Sequence, residues 1–456
     1  MTKKPRFLSE NGVFYSMNIK ILILLVFSCT YLGVVFIPRK KTEIVLIGAC
    51  GMVLAKIFFF PHATPFLMHL LESCGEAMAA INWNVMGIFW GMLYLTGIFI
   101  YSRVPVLLAD KLIEHARNVG MAILGVCIFS SLISAFVENV ATVMIVAPIA
   151  LAICKKFHLS PVPFLIGIAI SSNLQGTATL IGDPPSMILA GAKQMSFNDF
   201  FVYHGQPGIF WAVQLGAIVS FLVLAYLFRS YRQPVDGIQA EEVLSWTPTL
   251  LIVAMIVCLA LSPLLDNESK FLGGIICTVF GLWSIGWFHN RQGRRWKRTQ
   301  VFWRQYADWE TFLFLIGIFI VVEGLKDVGL IDDAAQWLVA AVGDNVFVTY
   351  SIVVWASVAL SAVIDNVPYI TAMIPLCQAV SANLGLPDEL LVFGLLIGAC
   401  LGGNITPVGA AANVVSVGIL ERNGYDIRFR EFIQIGLPFT VAATFASYLF
   451  VWVVWR

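Results

Sequence analysis

The sequence predicts an all-α polytopic membrane protein with two inverted repeats of about five spans, each holding a re-entrant helical hairpin and one unwound transmembrane helix. Three observations predict this fold. The chain is 59% apolar and only 12% charged, its apolar stretches have the length of membrane spans, and polar interruptions recur in its two halves. A mean hydropathy of +0.85 leaves too little polar surface to cover a soluble globule. The composition therefore excludes a soluble enzyme, a nucleic-acid binder and a disordered chain.

Complete membrane crossings need about 20 apolar residues each. Stretches of this kind lie at 20–38, 43–60, 83–101, 208–228, 247–265, 271–288, 309–322 and 432–455. Two further segments, 163–191 and 389–420, are interrupted in the middle by Gly, Pro, Thr and Asn, which predicts an unwound helix in each. The segments 118–153 and 345–383 carry an acidic residue followed by Asn near the centre, and the pattern allows either a re-entrant hairpin or two spans.

The order of these segments predicts the domain organisation. It consists of an N-terminal tail (1–19), a first repeat (20–228), a cytoplasmic linker (229–246) and a second repeat (247–456). Six alternate loops hold 19 of the Lys and Arg residues, whereas the intervening loops and the C-terminus hold four. The positive-inside rule places the basic loops in the cytoplasm, although the basic N-terminal tail then lies outside.

The most informative feature is the similarity between two segments that lie 227 positions apart. The segments SAFVENVATVMIVAPI, from Ser134, and SAVIDNVPYITAMIPL, from Ser361, align Glu138 with Asp365. The same spacing aligns TLIGDPPS with TPVGAAAN, and matching loops carry opposite charge. Each half has five spans plus one element that begins and ends on the same side, so we expect the halves to face opposite ways. Such repeats with broken helices are typical of secondary transporters; duplication for stability alone is the alternative.

Three acidic residues, Glu138, Asp183 and Asp365, lie deep within apolar surroundings, and no Arg lies at that depth. A charge at bilayer depth costs at least about 2.5–3.5 kcal/mol, which makes each a candidate for function. A carboxylate that binds either a proton or a metal cation provides the competition that antiport requires. The alternatives are a permanently protonated acid and, for Asp183 before Pro184-Pro185, a simple helix cap.

Amide and hydroxyl side chains at the interruptions form the rest of the predicted site. They are Asn139, Thr177, Thr179, Asn366, Asn404, Thr406 and Asn413. Helices that restart after a break direct partial positive charge towards the centre and favour an anion, while Asn, Thr and exposed carbonyls bind a hard cation. For a single Asn or Thr, a helix–helix hydrogen bond is the commoner role. The candidate sodium ligands are Asn139, Asn366, Asp365 and Glu138.

These motifs resemble the ion transporter superfamily, and more closely its ArsB/NhaD permease family, which includes sodium/proton antiporters, arsenite permeases and the melanosomal P protein. The resemblance rests on SAFVENV, SSNLQGTATLIGDPPSMIL, DWETFLFLIGIFIVVEGL, SAVIDNVPYITAMIPL and LGGNITPVGAAANVV, in family order from about residue 20 to 455. It implies two re-entrant hairpins and two unwound helices with the substrate between them, a scaffold that dimerises, and a transport domain that moves as an elevator.

The resemblance places the hairpin tips at Glu138-Asn139 and Asp365-Asn366, and the helix breaks at Thr177 to Pro185 and Asn404 to Asn413. The chain departs from the family pattern in its first half. Glu138 stands where an aspartate is common, and Gln175 and Ser186 replace a usual Gly and Asn. Because of these departures, the size and the ligand set of the first site are not carried over from the family.

The predicted function is secondary active transport by alternating access, and sodium/proton antiport is the first candidate. The alternative is an anion permease coupled to sodium or protons, which carries arsenite, a carboxylate or an inorganic anion. We expect a multi-pass homodimer in the lipid bilayer, located in the plasma membrane, which is the inner membrane if the protein is bacterial. We expect no enzymatic activity, no nucleic-acid partner and no cofactor other than a sodium ion as substrate or coupling ion. An intramembrane aspartyl protease fits poorly, because Asp183 and Asp365 lack its sequence contexts. A passive channel is disfavoured because paired broken helices suit alternating access.

Overall fold

The computed structural model describes residues 10–60, 65–234, 242–265, 271–306 and 308–456, which are folded mostly into α-helices. The helices are α1 (Glu10–Phe36), α2 (Lys41–Phe59), α3 (Phe66–Ala80), α4 (Trp83–Tyr101), α5 (Val104–Glu114), α6 (Val119–Ser134), α7 (Asn139–Lys156), α8 (Val162–Gly176), α9 (Pro184–Lys193), α10 (Ile209–Phe228), α11 (Thr247–Leu265), α12 (Leu272–Arg291), α13 (Trp296–Tyr306), α14 (Trp309–Asp327), α15 (Leu330–Val342), α16 (Val346–Ser361), α17 (Asn366–Asn383), α18 (Glu389–Gly402), α19 (Ala411–Arg422) and α20 (Phe429–Trp455). Strand β1 (Val202–Tyr203) pairs antiparallel with β2 (Gln206–Pro207). Residues 1–9 of the predicted tail and 235–241 of the predicted linker lie outside the described residues.

The described residues contain 8 helices that are long and apolar enough to cross a membrane, or 9 if the bent pair α15 and α16 counts as one span. They are Asn18–Phe36, Pro38–Phe59, Trp83–Tyr101, Asn139–Lys156, Ile209–Phe228, Thr247–Leu264, Leu272–Arg291 and Phe429–Trp455. The protein is thus an integral multi-pass membrane protein, as predicted.

Two segments that lie between predicted spans, 61–82 and 289–305, contain helices. Helix α3 occupies most of 61–82, and α13 occupies the end of 289–305. A short helix that packs through one face needs only an apolar stripe and no continuous apolar run. A search for span-length apolar stretches therefore passes over it.

Both predicted hairpin segments consist of two helices separated by four residues, 135–138 between α6 and α7 and 362–365 between α16 and α17. The helix ends recur at the spacing of the sequence repeat. Helices α6 and α16 have 16 residues each. At about 1.5 Å per residue such a helix is roughly 24 Å long, shorter than a hydrocarbon core of about 30 Å. Helix α7, in contrast, has 18 residues and meets the length and composition of a span, so the re-entrant form of the hairpins stays a prediction.

The two predicted interruptions are also present. Helix α8 ends at Gly176 and α9 begins at Pro184, while α18 ends at Gly402 and α19 begins at Ala411 after a short 3-10 turn. Proline suits the first turn of a helix because the missing N–H has no intrahelical acceptor there, which explains the restart at Pro184.

The chain forms two compact units, and each is assembled from separate stretches of sequence. Unit 1 comprises Met1–Asn82, Trp309–Asn345 and Thr371–Leu386. Unit 2 comprises Trp83–Asp308, Val346–Ile370 and Pro387–Arg456. Residues from both halves of the sequence contribute to each unit.

Unit 1 packs α1, α2 and α14 around a small apolar core. The core contains Ile19, Ile23, Ala49, Met52, Ala55, Val321, Leu325 and Ile331. Near the end of α2, Lys56 Nζ lies 2.6 Å from Glu76 Oε2 and 2.7 Å from Asp327 Oδ2. The charge of this lysine, in the last turn of an apolar helix, is therefore paired with acids of its own unit.

Unit 2 holds its helices together through close backbone contacts at small residues. A Cβ added at Gly91 of α4 would lie 2.1 Å from the carbonyl oxygen of Cys277 in α12. Helices α10 and α20 are joined by a hydrogen bond of 2.8 Å from Ser447 Oγ to Ala212 O. Such contacts let helices approach closely in a medium where the hydrophobic effect does not drive their association. Both hairpin tips and both helix breaks belong to unit 2.

Candidate functional site at the hairpin tips and helix breaks

The same hydrogen bond fastens each helix break to a hairpin tip. Thr179 Oγ1 donates to the carbonyl oxygen of Ala135, and Thr406 Oγ1 donates to that of Ala362. The two bonds occupy equivalent places in the sequence repeat. Both threonines are predicted ligands, but each hydroxyl proton is engaged in holding the break against the tip. Their contribution is therefore first of all structural.

Glycines bring the backbone of each break against the end of the preceding helix. A Cβ at Gly182 would lie 2.5 Å from Gly176 O, and one at Gly409 would lie 2.6 Å from Gly403 O. Contacts under about 3 Å leave no room for a side chain, so overpacking there costs typically 1–3 kcal/mol. The two breaks thus share one backbone arrangement.

A chain of side-chain amides links the first tip to the second break. Asn139 Nδ2 donates to Asn173 Oδ1 at 2.9 Å, and Asn173 Nδ2 donates to Asn404 Oδ1 at 2.9 Å. Asn173 Nδ2 also lies 3.3 Å from the carbonyl oxygen of Cys400. Asn173 is fully buried in α8 and connects residues that belong to different halves of the sequence. We call this series the amide relay.

The sequence analysis missed Asn173. The signal was present, because Ser171, Ser172 and Asn173 form a polar run inside an otherwise apolar helix. Ser172 Oγ lies 3.0 Å from both Ser134 Oγ and Asn139 O, which ties this run to the first tip. Asn173 lies one turn before the break that begins at Thr177, within the helix itself.

Asp183 is the most buried of the three predicted acids, with 4% of its surface exposed, whereas Glu138 and Asp365 are half-buried. The negative charges of Glu138 and Asp365 lie near enough to act on its carboxyl. Glu138 also interacts with Asp308, a residue that the sequence analysis did not select. Carboxyl groups from both halves of the sequence therefore act on Asp183.

Helix capping accounts for these acids unequally. Asp183 occupies the N-cap position of α9, but its side chain makes no capping hydrogen bond. Asp365 does accept a hydrogen bond of 3.2 Å from the backbone N–H of Val367. The capping explanation thus applies to part of the role of Asp365 and not to the buried carboxyl of Asp183.

Two buried amides keep an atom without a hydrogen-bond partner among the described residues. Asn413 Nδ2 donates to Gly403 O and Thr406 O, both at 2.9 Å, while Asn413 Oδ1 has no donor. Asn404 Oδ1 accepts from Asn173, while Asn404 Nδ2 has no acceptor. A buried polar atom left unpaired costs roughly 1–3 kcal/mol unless water or a ligand satisfies it. The second break therefore offers one acceptor and one donor for a ligand.

The remaining predicted residues make local contacts. Asn366 Oδ1 accepts from Ser361 Oγ at 2.8 Å at the second tip. Thr177 Oγ1 lies 3.4 Å from Asn173 O, and Ser186 Oγ donates to Thr177 O at 3.2 Å across the first break. Among the described residues, no group of three or more His, Cys, Asp or Glu side chains is placed to hold a metal ion.

Comparison with known proteins gives the family. The sequence pattern of CitMHS, described as Citrate transporter, matches residues 22–398. The chain belongs to the CitMHS family. An uncharacterized transporter of Mycobacterium tuberculosis is 28% identical over 450 residues, covering 94% of this chain and 96% of that protein. The P protein of Homo sapiens is 26% identical over 83% of this chain and 53% of its own length.

The fold is similar to that of two solved transporters. The YdaH transporter of Alcanivorax borkumensis, whose structure is described as having an unusual topology, matches with a TM-score of 0.57 at 14% identity, over 95% of this chain and 98% of that one. MtrF of Neisseria gonorrhoeae, described as an antimetabolite efflux pump, matches with a TM-score of 0.52 at 12% identity, over 96% and 94%. At this identity the likeness concerns the fold alone.

These relationships make the protein a secondary transporter of the CitMHS family. The predicted relationship to the P protein is confirmed. The narrower assignment to the ArsB/NhaD permeases stays a prediction, because the family that matches is CitMHS.

Proposed function

We propose that this CitMHS protein exchanges a monovalent cation, most simply sodium, for protons. The cation and the proton bind in turn at the Asp183 carboxylate. The supporting observation is the environment of that carboxyl, which is buried at the start of α9, makes no capping hydrogen bond and lies near two further acids, Glu138 and Asp365. A group of acids of this kind is stabilised by binding a proton or a cation, since either one offsets the mutual repulsion.

The second break supplies a further candidate oxygen ligand for the cation. Asn413 Oδ1 is a buried acceptor without a donor among the described residues. Hard cations prefer such oxygen ligands. In the proposed cycle, sodium and protons bind alternately to the acids, and the protein opens alternately to the two sides of the membrane. The elevator movement and the homodimer stay predictions of the resemblance.

The alternative is transport of an anion, with the acids binding the coupling ion. Helices α7, α9, α17 and α19 all begin at the tips and breaks, and helix N-termini favour negative charge. Asn404 Nδ2 is a buried donor without an acceptor among the described residues. The description of the family as citrate transporters supports a carboxylate as the anion.

Proton movement and anion uptake in proteoliposomes separate the two functions. The full chain is reconstituted with a pH-sensitive dye inside, a pH gradient is imposed, and sodium, lithium or potassium is added outside. Uptake of labelled citrate is measured in parallel. The variants are Asp183→Asn, Glu138→Gln and Asp365→Asn, with Asp199→Asn as a matched control, because Asp199 only orders the loop at Ser196 in the same unit.

Antiport predicts that added sodium moves protons in the wild type and in D199N and that D183N loses this movement. The variants E138Q and D365N shift its dependence on pH. If sodium moves no protons in the wild type while citrate is taken up, the anion function replaces the proposal. Equal proton movement in D183N and D199N would remove Asp183 from the mechanism.

A further inference from the structure

Helix α13 has two faces of opposite character. Its inner face consists of Thr299, which is fully buried, Trp303, which is 8% exposed, and the half-buried Phe302. The Phe302 ring stacks on Phe288 with centroids 3.9 Å apart, and the Trp303 ring meets Tyr94 at 4.8 Å. These aromatic contacts fix the rotation of the helix against α4 and α12.

The outer face combines cations with large apolar side chains. Arg294 and Arg295, which directly precede the helix, and Lys297, Arg298 and Arg304 within it are all exposed. Between them, Trp296 is 55% exposed and Val301 is 68% exposed. Water alone does not favour the exposure of Trp and Val, and lipid tails do not favour five cations. The boundary between lipid and water suits both.

The cations of this face have no acidic neighbours in the sequence and no ion pair with another described residue. The segment 289–306 contains no Asp or Glu. Within the described part of the chain, none of the five cations takes part in an ion pair. By contrast Lys20, Lys56, Lys193 and Lys326 are all paired. The excess positive charge is therefore available to an external anion.

The repeat gives an internal comparison. Helix α3 occupies the position in the first half that α13 occupies in the second, at the repeat spacing of about 226 residues. Its segment also exposes large apolar residues, such as Leu67 and Leu71, but it contains Glu72 and Glu76 and no Lys or Arg. An apolar outer face is thus common to both helices, and the basic charge is specific to α13.

We propose that the outer face of α13 binds the headgroups of anionic phospholipids of the cytoplasmic leaflet, with Trp296 and Val301 inserted among the upper acyl carbons. Clusters of Lys and Arg at this level attract anionic lipids, and aromatic side chains prefer the interface. This inference is independent of the transported ion. It adds a lipid site to a segment whose charge the sequence explains only as an orientation signal.

The test is a comparison of phosphatidylglycerol and phosphatidylcholine binding to the purified full chain in detergent, with retained lipid counted by native mass spectrometry. The α13 variant, R294Q/R295Q/K297Q/R298Q, removes two cations of the helix and the two that directly precede it. The matched control K40Q/K155Q/R422Q/R430Q removes four exposed cations from other loops predicted to be cytoplasmic. Elution as a single species and an unchanged melting temperature establish that each variant is folded.

The wild type and the control variant should prefer phosphatidylglycerol over phosphatidylcholine by about tenfold or more, and the α13 variant should lose this preference. A second variant, W296S/V301S, should bind both lipids more weakly while keeping the preference. High salt should reduce the preference, since exposed charges are screened. An unchanged preference in the α13 variant, or an equal loss in the control, overturns the proposal.

Discussion

Replacing Asn173 by Ala tests whether the amide relay holds the first tip and the second break in one arrangement. The substitution removes three contacts, from Asn139 Nδ2, to Asn404 Oδ1 and to Cys400 O. Hydrogen bonds between membrane helices average about 0.6 kcal/mol and reach about 1.7 kcal/mol. Three of them amount to about 2 kcal/mol, and to about 5 kcal/mol if every partner stays dry in the variant.

The assay is the apparent melting temperature in detergent, followed by ion flux in proteoliposomes. The matched control is Thr440→Val, because Thr440 is also fully buried in unit 2 and its hydroxyl has no hydrogen-bond partner among the described residues. N173A should unfold at a clearly lower temperature and transport more slowly, whereas T440V should match the wild type or exceed it.

A double-mutant cycle with Asn139→Ala locates the effect. If the relay is a unit, N139A and N173A together should cost less than the sum of the single variants, by roughly 0.5–3 kcal/mol. Additive effects, or an N173A protein as stable and active as T440V, would refute the claim that this amide joins the tip to the break.

Two further predictions follow from contacts in unit 2. Gly182→Ala and Gly409→Ala should each lower the free energy of unfolding by about 1–3 kcal/mol because the added Cβ meets a backbone oxygen. The control in thermal unfolding is Gly418→Ala, because a Cβ there meets nothing within 4 Å. Equal melting temperatures in all three variants would contradict the close approach. Burial lowers the pKa of Lys193, but Asp388 and Glu389 more than offset this and leave it above the ordinary 10.5. A raised lysine pKa stabilises the fold fully below the ordinary value and loses its effect as the pH rises through the folded value. The loss of stability in Lys193→Gln should therefore be constant from about pH 6 to 9; a loss that fades within this window would show that the ion pair is not its cause.

The sequence by itself determined most of the long apolar helices and both helix breaks. Apolar runs, Gly and Pro act on the residues next to them, so the helix restart at Pro184 and the repeat that aligns Glu138 with Asp365 could be read from local pattern. Only the tertiary structure decided which side chains meet. Asn173 and Asn404 lie 231 positions apart, and Asp308 precedes a helix like many surface acids, so no local pattern pairs them with the site. A buried amide or carboxyl takes its partner from whatever packing brings within reach, and packing joins residues irrespective of their distance along the chain.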